Sequence, residues 1–329
     1  MPTSEDAARR AAAPAPPTAE DPLARQRGPG YLLARAISPL KERRHVTPDF
    51  LIVGAARAGT TSVLNHLRSH PGVLFCPRQE LHFFDVEGRW SQGLGSYVER
   101  FPRRSEKEAA IKAGRGPALS GENSPYYLAH PYVAERVHAT LPQARLIALL
   151  RDPTDRAISH WNWRYNQKQE PRGFEELVEE ELTALADLPP GGSANVLATA
   201  GADAVKGKGG VAARSAAYAT TADSQWARRN QAYLARGIYL EQLQRWHAVF
   251  PREQLLVVIS ERYYRDTDAE LRRVFDHVGL PWAATEDTKP NARKKKLDID
   301  PAVVARVRAF FRPHNAALAA YLGDDPGWD

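Results

Sequence analysis

Three short apolar runs punctuate the chain: Phe50-Leu51-Ile52-Val53, Leu146-Ile147-Ala148-Leu149-Leu150 and Leu255-Leu256-Val257-Val258-Ile259. Each is β-prone and continuous rather than alternating, which is how a strand buried on both faces reads. Between them the apolar positions recur at helical spacing. Val63, Leu64 and Leu67 mark a helix over 60–70 that Pro71 ends, and further helices are expected at about 131–141, 155–168, 174–186, 226–249 and 268–279. Buried strands alternating with helices predict an α/β fold, a central parallel sheet flanked by helices.

Two stretches depart from that rhythm. The first 40 residues hold seven of the 25 prolines, so residues 1–44 read as a mobile Ala/Pro-rich segment in which Pro39 stops any helical turn over 31–40. Order is expected to begin at Pro48, within a single domain spanning 45–329. Residues 187–222 are rich in Gly, Ala and Ser and lack periodicity, as a functional lid or a disordered insertion would.

Composition narrows the choices only partly. Apolar residues make up 43% and charged residues 26%, as in a folded protein, and no run approaches the ~18 apolar residues of a membrane span. No greasy stretch follows Arg9 and Arg10, so the start does not read as a secretory signal. A lone cysteine, Cys76, rules out an internal disulfide and a cysteine-rich zinc site, which fits a cytoplasmic location. The 45 Lys and Arg exceed the 39 Asp and Glu by six. That balance suits a polyanionic or phosphorylated partner, and equally an Arg-rich chain with no such role.

Candidate chemistry starts directly after the first strand. Gly54-Ala55-Ala56-Arg57-Ala58-Gly59-Thr60-Thr61-Ser62 forms a glycine-bounded turn that opens a helix, a setting that presents unpaired backbone N–H groups to a phosphate. A triphosphate-binding loop would carry Lys where this chain has Thr60. The basic residue is instead Arg57, inside the turn, which favours a phosphate bearing another group over a magnesium triphosphate. Packing of strand on helix alone would also explain the glycines. The second strand runs into Arg151-Asp152-Pro153, with Ser159 two helical turns on. An Arg at a strand end and a Ser on the following helix can grip one phosphate, or Arg151 can simply pair with Asp152 or Asp155.

These two motifs, in this order, resemble the 5′-phosphosulfate and 3′-phosphate sites of sulfotransferases that use 3′-phosphoadenosine 5′-phosphosulfate. Three further segments carry the resemblance, most like the heparan-sulfate type and its soluble bacterial relatives. They are Glu80-Leu81-His82-Phe83-Phe84-Asp85, Gly121 to Tyr127, and Gly237-Ile238-Tyr239 with Leu243, Trp246 and Phe250. Asn123 stands where that family carries Lys, Arg57 replaces another Lys, and Asn291 to Lys296 lies where the family has a basic closing loop.

The resemblance implies a phosphate-loop type of α/β fold and sulfuryl transfer to an acceptor hydroxyl or amine, on a glycan or natural-product small molecule, with no metal and no nucleic acid. Glu80 would be the general base, tuned toward neutrality in a partly desolvated pocket. His82 would orient Glu80 or share its proton, on the same face if 80–84 is extended; packing beside two Phe rings is its other reading. Arg57, Ala58, Gly59, Thr60, Thr61 and Ser62 would hold the 5′ side of the donor, Arg151 and Ser159 its 3′-phosphate. Arg293, Lys294 and Lys295 would close over it. Asp85 would contact the acceptor or cap a helix at 85–88. Tyr126, Tyr127, Trp161, Trp163 and Tyr165 would stack on a ring or belong to the core.

Two rivals remain. A nucleotide kinase would need ATP and magnesium, and a polyanion-binding protein would bind DNA without any nucleotide effect.

Overall fold

The computed structural model describes residues 37–186, 232–285 and 297–328. The expected mobile segment up to residue 36, the 187–222 insertion and the basic residues Arg293, Lys294 and Lys295 lie outside these. Five parallel strands form one sheet in the order β2-β3-β1-β4-β5: β1 (Phe50–Gly54), β2 (Val73–Phe75), β3 (Leu119–Asn123), β4 (Arg145–Leu150) and β5 (Leu255–Ile259). The main helices are α1 (Ser38–Arg44), α2 (Thr60–Ser69), α3 (Val133–Thr140), α4 (Pro153–Asn166), α5 (Phe174–Ala186), α6 (Tyr239–His247), α7 (Ser260–Arg265), α8 (Thr267–Val278) and α9 (Pro301–Leu322).

The three apolar runs are β1, β4 and β5, as their continuous hydrophobicity requires. β1 and the interior of β4 are fully buried, and β4 pairs in register with β5 from Leu146↔Leu255 to Leu150↔Ile259. Helix α2 packs against β1, β2 and β3, and α8 against β4 and β5. On α6, Tyr239, Leu243, Trp246 and, just beyond it, Phe250 fall on one face and are all buried. Trp246 donates its indole N–H to Leu128 O at 3.2 Å.

Several boundaries differ from expectation. Pro39 begins helix α1 rather than stopping one, because its fixed φ suits a first turn. Ser38 then hooks this helix to the domain, its hydroxyl accepting the Gly95 N–H at 2.6 Å, so packed structure precedes residue 45. Of the helix expected over 226–249, residues 226–231 lie outside the described residues, and within the described part it runs from Tyr239 to His247. Gly237 ahead of it sits in a 3₁₀ turn, and a Cβ there would lie 2.7 Å from both Phe311 and Pro153.

Glu181 on α5 is the anchor for the return of the chain at 232. Its buried carboxyl group accepts the N–H groups of Tyr233, Leu234 and Ala235 at 2.8, 2.8 and 2.7 Å. Removing it would strand three buried donors. Glu181→Ala is expected to lower unfolding free energy by about 3 kcal/mol or more in urea titration; a loss below about 1 kcal/mol would contradict this role.

Candidate active site

The sheet order places the ligand crevice. Connections from β1 run toward β3 and β2, whereas those from β4 run toward β5, so the β1 and β4 carboxyl ends flank the switch point. β3, β1 and β4 are neighbours, so their ends span about 10 Å. The Gly54–Ser62 loop, the Ser124–Tyr127 segment and the Arg151–Ser159 segment emerge from these ends.

After β1, the loop needs its glycines. Gly54 lies so close to Leu128 that no Cβ fits, and Gly59 has φ +92° with Tyr264 Oη 2.6 Å from where a Cβ would be. Gly59 O accepts the N–H groups of Ser62 and Val63, leaving those of Thr60 and Thr61 outside the ladder of α2, open to an anion. Thr60 is buried and Thr61 exposed. Helix α7 buttresses the loop: the Ser260 hydroxyl donates to Ala58 O at 2.6 Å, and Tyr263 and Ser62 share a hydrogen bond of 2.9 Å. These α7 residues carried no motif, although their position just after an apolar parallel strand marks them.

Arg57 joins the two expected phosphate motifs. Its Nε donates to Ser159 Oγ at 3.3 Å, and Arg151 Nη1 donates to Arg57 O at 3.4 Å. The Trp163 ring lies 5.7 Å from its guanidinium carbon. Arg151 also pairs with Asp155 at 3.3 Å, as its surface alternative anticipated, while Asp152 caps α4 through the Asp155 N–H. Tyr239 donates its hydroxyl to Arg151 O at 2.9 Å.

Desolvation, then the like charges of Arg151 and Arg156, lower the Arg57 pKa. Arg156, fully buried behind it, was missed because it reads as one more helix charge; its Nη2 bonds Tyr233 O, and Nε and Nη1 have no partner among the described residues. Burial, reinforced by Arg236, Arg156, Arg164 and Arg57, drives the His160 pKa far down. The crevice therefore carries excess positive charge that an anion would relieve.

The second cluster lies at the end of β3. Residues 80–85 form a turn, so the condition of an extended 80–84 is not met, and His82 takes φ +48°. That puts the buried His82 ring between two carboxylates, Nε2 2.8 Å from Glu80 Oε2 and Nδ1 2.8 Å from Asp85 Oδ2. A neutral imidazole has one N–H, so making both contacts as hydrogen bonds takes a second proton somewhere on the Glu80–His82–Asp85 line. Glu80 is 46% exposed by side chain. It therefore faces solvent rather than the partly desolvated pocket expected of it.

The three residues expected at the acceptor, Asp85, Tyr126 and Tyr127, are all buried. The Asp85 side chain has no exposure, sits behind His82, and does not cap Glu87–Trp90, whose N-cap is Val86. Tyr127 is fully buried and its oxygen accepts the Phe83 and Phe84 N–H groups at 2.9 and 3.4 Å. Tyr126 is buried against Arg236 at 4.6 Å. Of the aromatic set, Trp161 is buried, whereas Trp163 and Tyr165 remain exposed.

Among the described residues no cluster of three or more His, Cys, Asp or Glu is arranged to hold a metal, and no helix is long and apolar enough to cross a membrane.

A family profile described as a sulfotransferase domain matches residues 47–298, more than three quarters of the chain. The chain belongs to the sulfotransferase domain family. Human heparan sulfate glucosamine 3-O-sulfotransferase 3A1 is 26% identical over 314 residues, covering 88% of this chain and 64% of that protein. The chain thus spans just under two thirds of that relative's length. Mouse heparan sulfate glucosamine 3-O-sulfotransferase 6 is 29% identical over 348 residues, 98% of this chain and 84% of that protein. The crystal structure of a sulfotransferase from Alicyclobacillus acidocaldarius superposes with a TM-score of 0.57 at 25% identity, covering 85% of this chain and 97% of that one. Residues 47–298 accordingly form a domain of the sulfotransferase type.

Among the carboxyls of this domain whose pKa is displaced is Glu122 on β3, to which the sequence analysis gave no role. Burial pushes it from 4.5 up to about 7, against hydrogen bonds from Tyr97 and Tyr127 that lower it. A raised folded value means stability contributed below the unfolded pKa and lost as pH rises through about 7. Glu122→Gln does not titrate, so the stability difference between variant and wild type should shift toward the variant by up to about 3 kcal/mol from pH 4.5 to pH 8. Urea unfolding at both pH values reads this; a constant difference would contradict it.

Proposed function

We propose that this sulfotransferase uses 3′-phosphoadenosine 5′-phosphosulfate as donor and sulfates a hydroxyl of a carbohydrate-containing or natural-product acceptor, an amine being the alternative nucleophile. The observation that carries the reading is the Arg57–Ser159–Arg151 constellation at the β1/β4 switch point, with the opening turn of α2 beside it. The residues fit a ligand with two separated anionic groups. The loop N–H groups and Arg57 suit the 5′-phosphosulfate, and Arg151 with Ser159 suits the 3′-phosphate.

Within that arrangement each side chain has a task. Glu80 accepts the acceptor's proton as the new S–O bond forms; among the described residues its second oxygen has no hydrogen-bond partner, while Oε2 faces His82. His82, backed by Asp85, holds the Glu80 carboxylate in place and takes part of the charge change. Arg57 neutralises the bridging oxygen as it leaves on the 5′-phosphate, where fixed charge acts without reorganisation. Trp163, exposed beside Arg57, offers a face to a ring.

The named relatives act on heparan sulfate glucosamine by their own description. A glycan hydroxyl is therefore the first acceptor class to test.

The test is transfer of labelled sulfuryl from this donor to a panel of neutral and N-sulfated glucosamine oligosaccharides. Glu80→Gln should lower kcat by about 10²–10⁴-fold with donor affinity unchanged. Activity within threefold of wild type would remove Glu80 from the role of base.

A further inference from the structure

β3 is the polar strand of an otherwise apolar sheet, yet all five of its residues, Leu119-Ser120-Gly121-Glu122-Asn123, are buried. Burying a carboxyl group there costs stability unless its hydrogen bonds are made. Glu122 has no exposure; it accepts the Tyr97 hydroxyl at 2.9 Å and the Ser124 hydroxyl at 3.3 Å, with Tyr127 bonding to it as well.

The direction of these bonds matters. A hydroxyl carries one proton. If Ser124 gives its proton to Glu122, its lone pairs must face elsewhere, and they meet the His82 N–H at 3.2 Å. Tyr127 is placed the same way, its oxygen accepting the Phe83 and Phe84 amides. A carboxylate accepts only, so it aligns both hydroxyls in one sense; an acid or an amide would not. The turn's carbonyls are held from the other side, Phe84 O by Arg136 at 2.9 Å and Leu81 O by Arg89.

We propose that Glu122 is a positioning residue for sulfuryl transfer: through the Ser124 and Tyr127 hydroxyls its carboxylate fixes the amides of residues 82–84 and so keeps the His82 ring between Glu80 and Asp85. This rests on the assignment of Glu80 and His82 to the reaction. The groups that face Glu122 are His82 and Asp85 from the turn, Tyr97 from Leu94–Val98, Tyr127 and Ser124 beyond β3, and Cys76 after β2. Its carboxyl, raised to about 7, changes charge where small pH shifts matter.

Two readouts test it. In the protein without donor or acceptor, nitrogen NMR of the His82 ring, assigned with His82→Gln, should show a step near pH 7 beyond the ring's own titration. Glu122→Gln should abolish that step. In the transfer assay with labelled donor and glucosamine oligosaccharides, Glu122→Gln should lower kcat about 10- to 100-fold with donor KM within twofold. Ser124→Ala and Tyr127→Phe, which leave the carboxyl in place, should each reproduce part of that loss. Combining Ser124→Ala with Glu122→Gln should add nothing further.

Superimposable His82 titrations in wild type and Glu122→Gln would overturn the proposal, as would fully additive losses. If the wild type transfers no sulfuryl group, the functional reading fails while the NMR arm still decides the role of Glu122.

Discussion

β1 is hydrogen-bonded along both edges, to β3 and to β4, and every one of its five residues is buried. Such a strand has no exposed edge from which to bind anything, so the chain can offer its chemistry only where β1 ends. There Gly54 lets the chain pass against Leu128, and Gly59 starts α2 with its first N–H groups unclaimed. The phosphate-loop geometry follows from strand burial together with those two glycines.

The neighbouring strands add the rest by the same logic. β4 delivers Arg151 and, through an Asp-Pro helix start, carries Ser159 to Arg57. β3 delivers the Ser124 and Tyr127 hydroxyls that shape the Glu80–Asp85 turn. β5 delivers α7, which braces the loop from behind. The electrostatic cost falls on the interior under α4, where Arg156 and Arg164 are fully buried and burial, then the basic neighbours, push the His160 pKa far down. An anionic ligand at the crevice is the natural counter-charge for that arrangement.

Much of this was legible from hydrophobic runs and loop chemistry. β1, β4 and β5 announce themselves because parallel strands buried on both faces are continuously apolar. β3 did not, because Ser120, Glu122 and Asn123 read as a motif rather than a strand, and only the hydroxyls around them make such polarity tolerable in the core. The Glu80–His82 pair was legible, but its geometry was not: alternation along a strand gave way to a left-handed His82, which also drew Asp85 inside. Tyr127 was drawn inward for a related reason, since two backbone amides of the turn need its oxygen more than a ligand would. Pro39 misled in the opposite sense, as a residue that stops helices internally but starts them at the first turn.

The central claim is that the crevice between β1 and β4 binds a nucleotide through its 3′-phosphate and 5′-phosphate without a metal. Calorimetric titration of 3′-phosphoadenosine 5′-phosphate into wild type and Arg151→Ala, each with and without EDTA, tests it most directly. The account predicts micromolar-class binding that ignores EDTA and weakens at least about tenfold in the variant. Absence of binding, or binding only of ATP with magnesium, would contradict it.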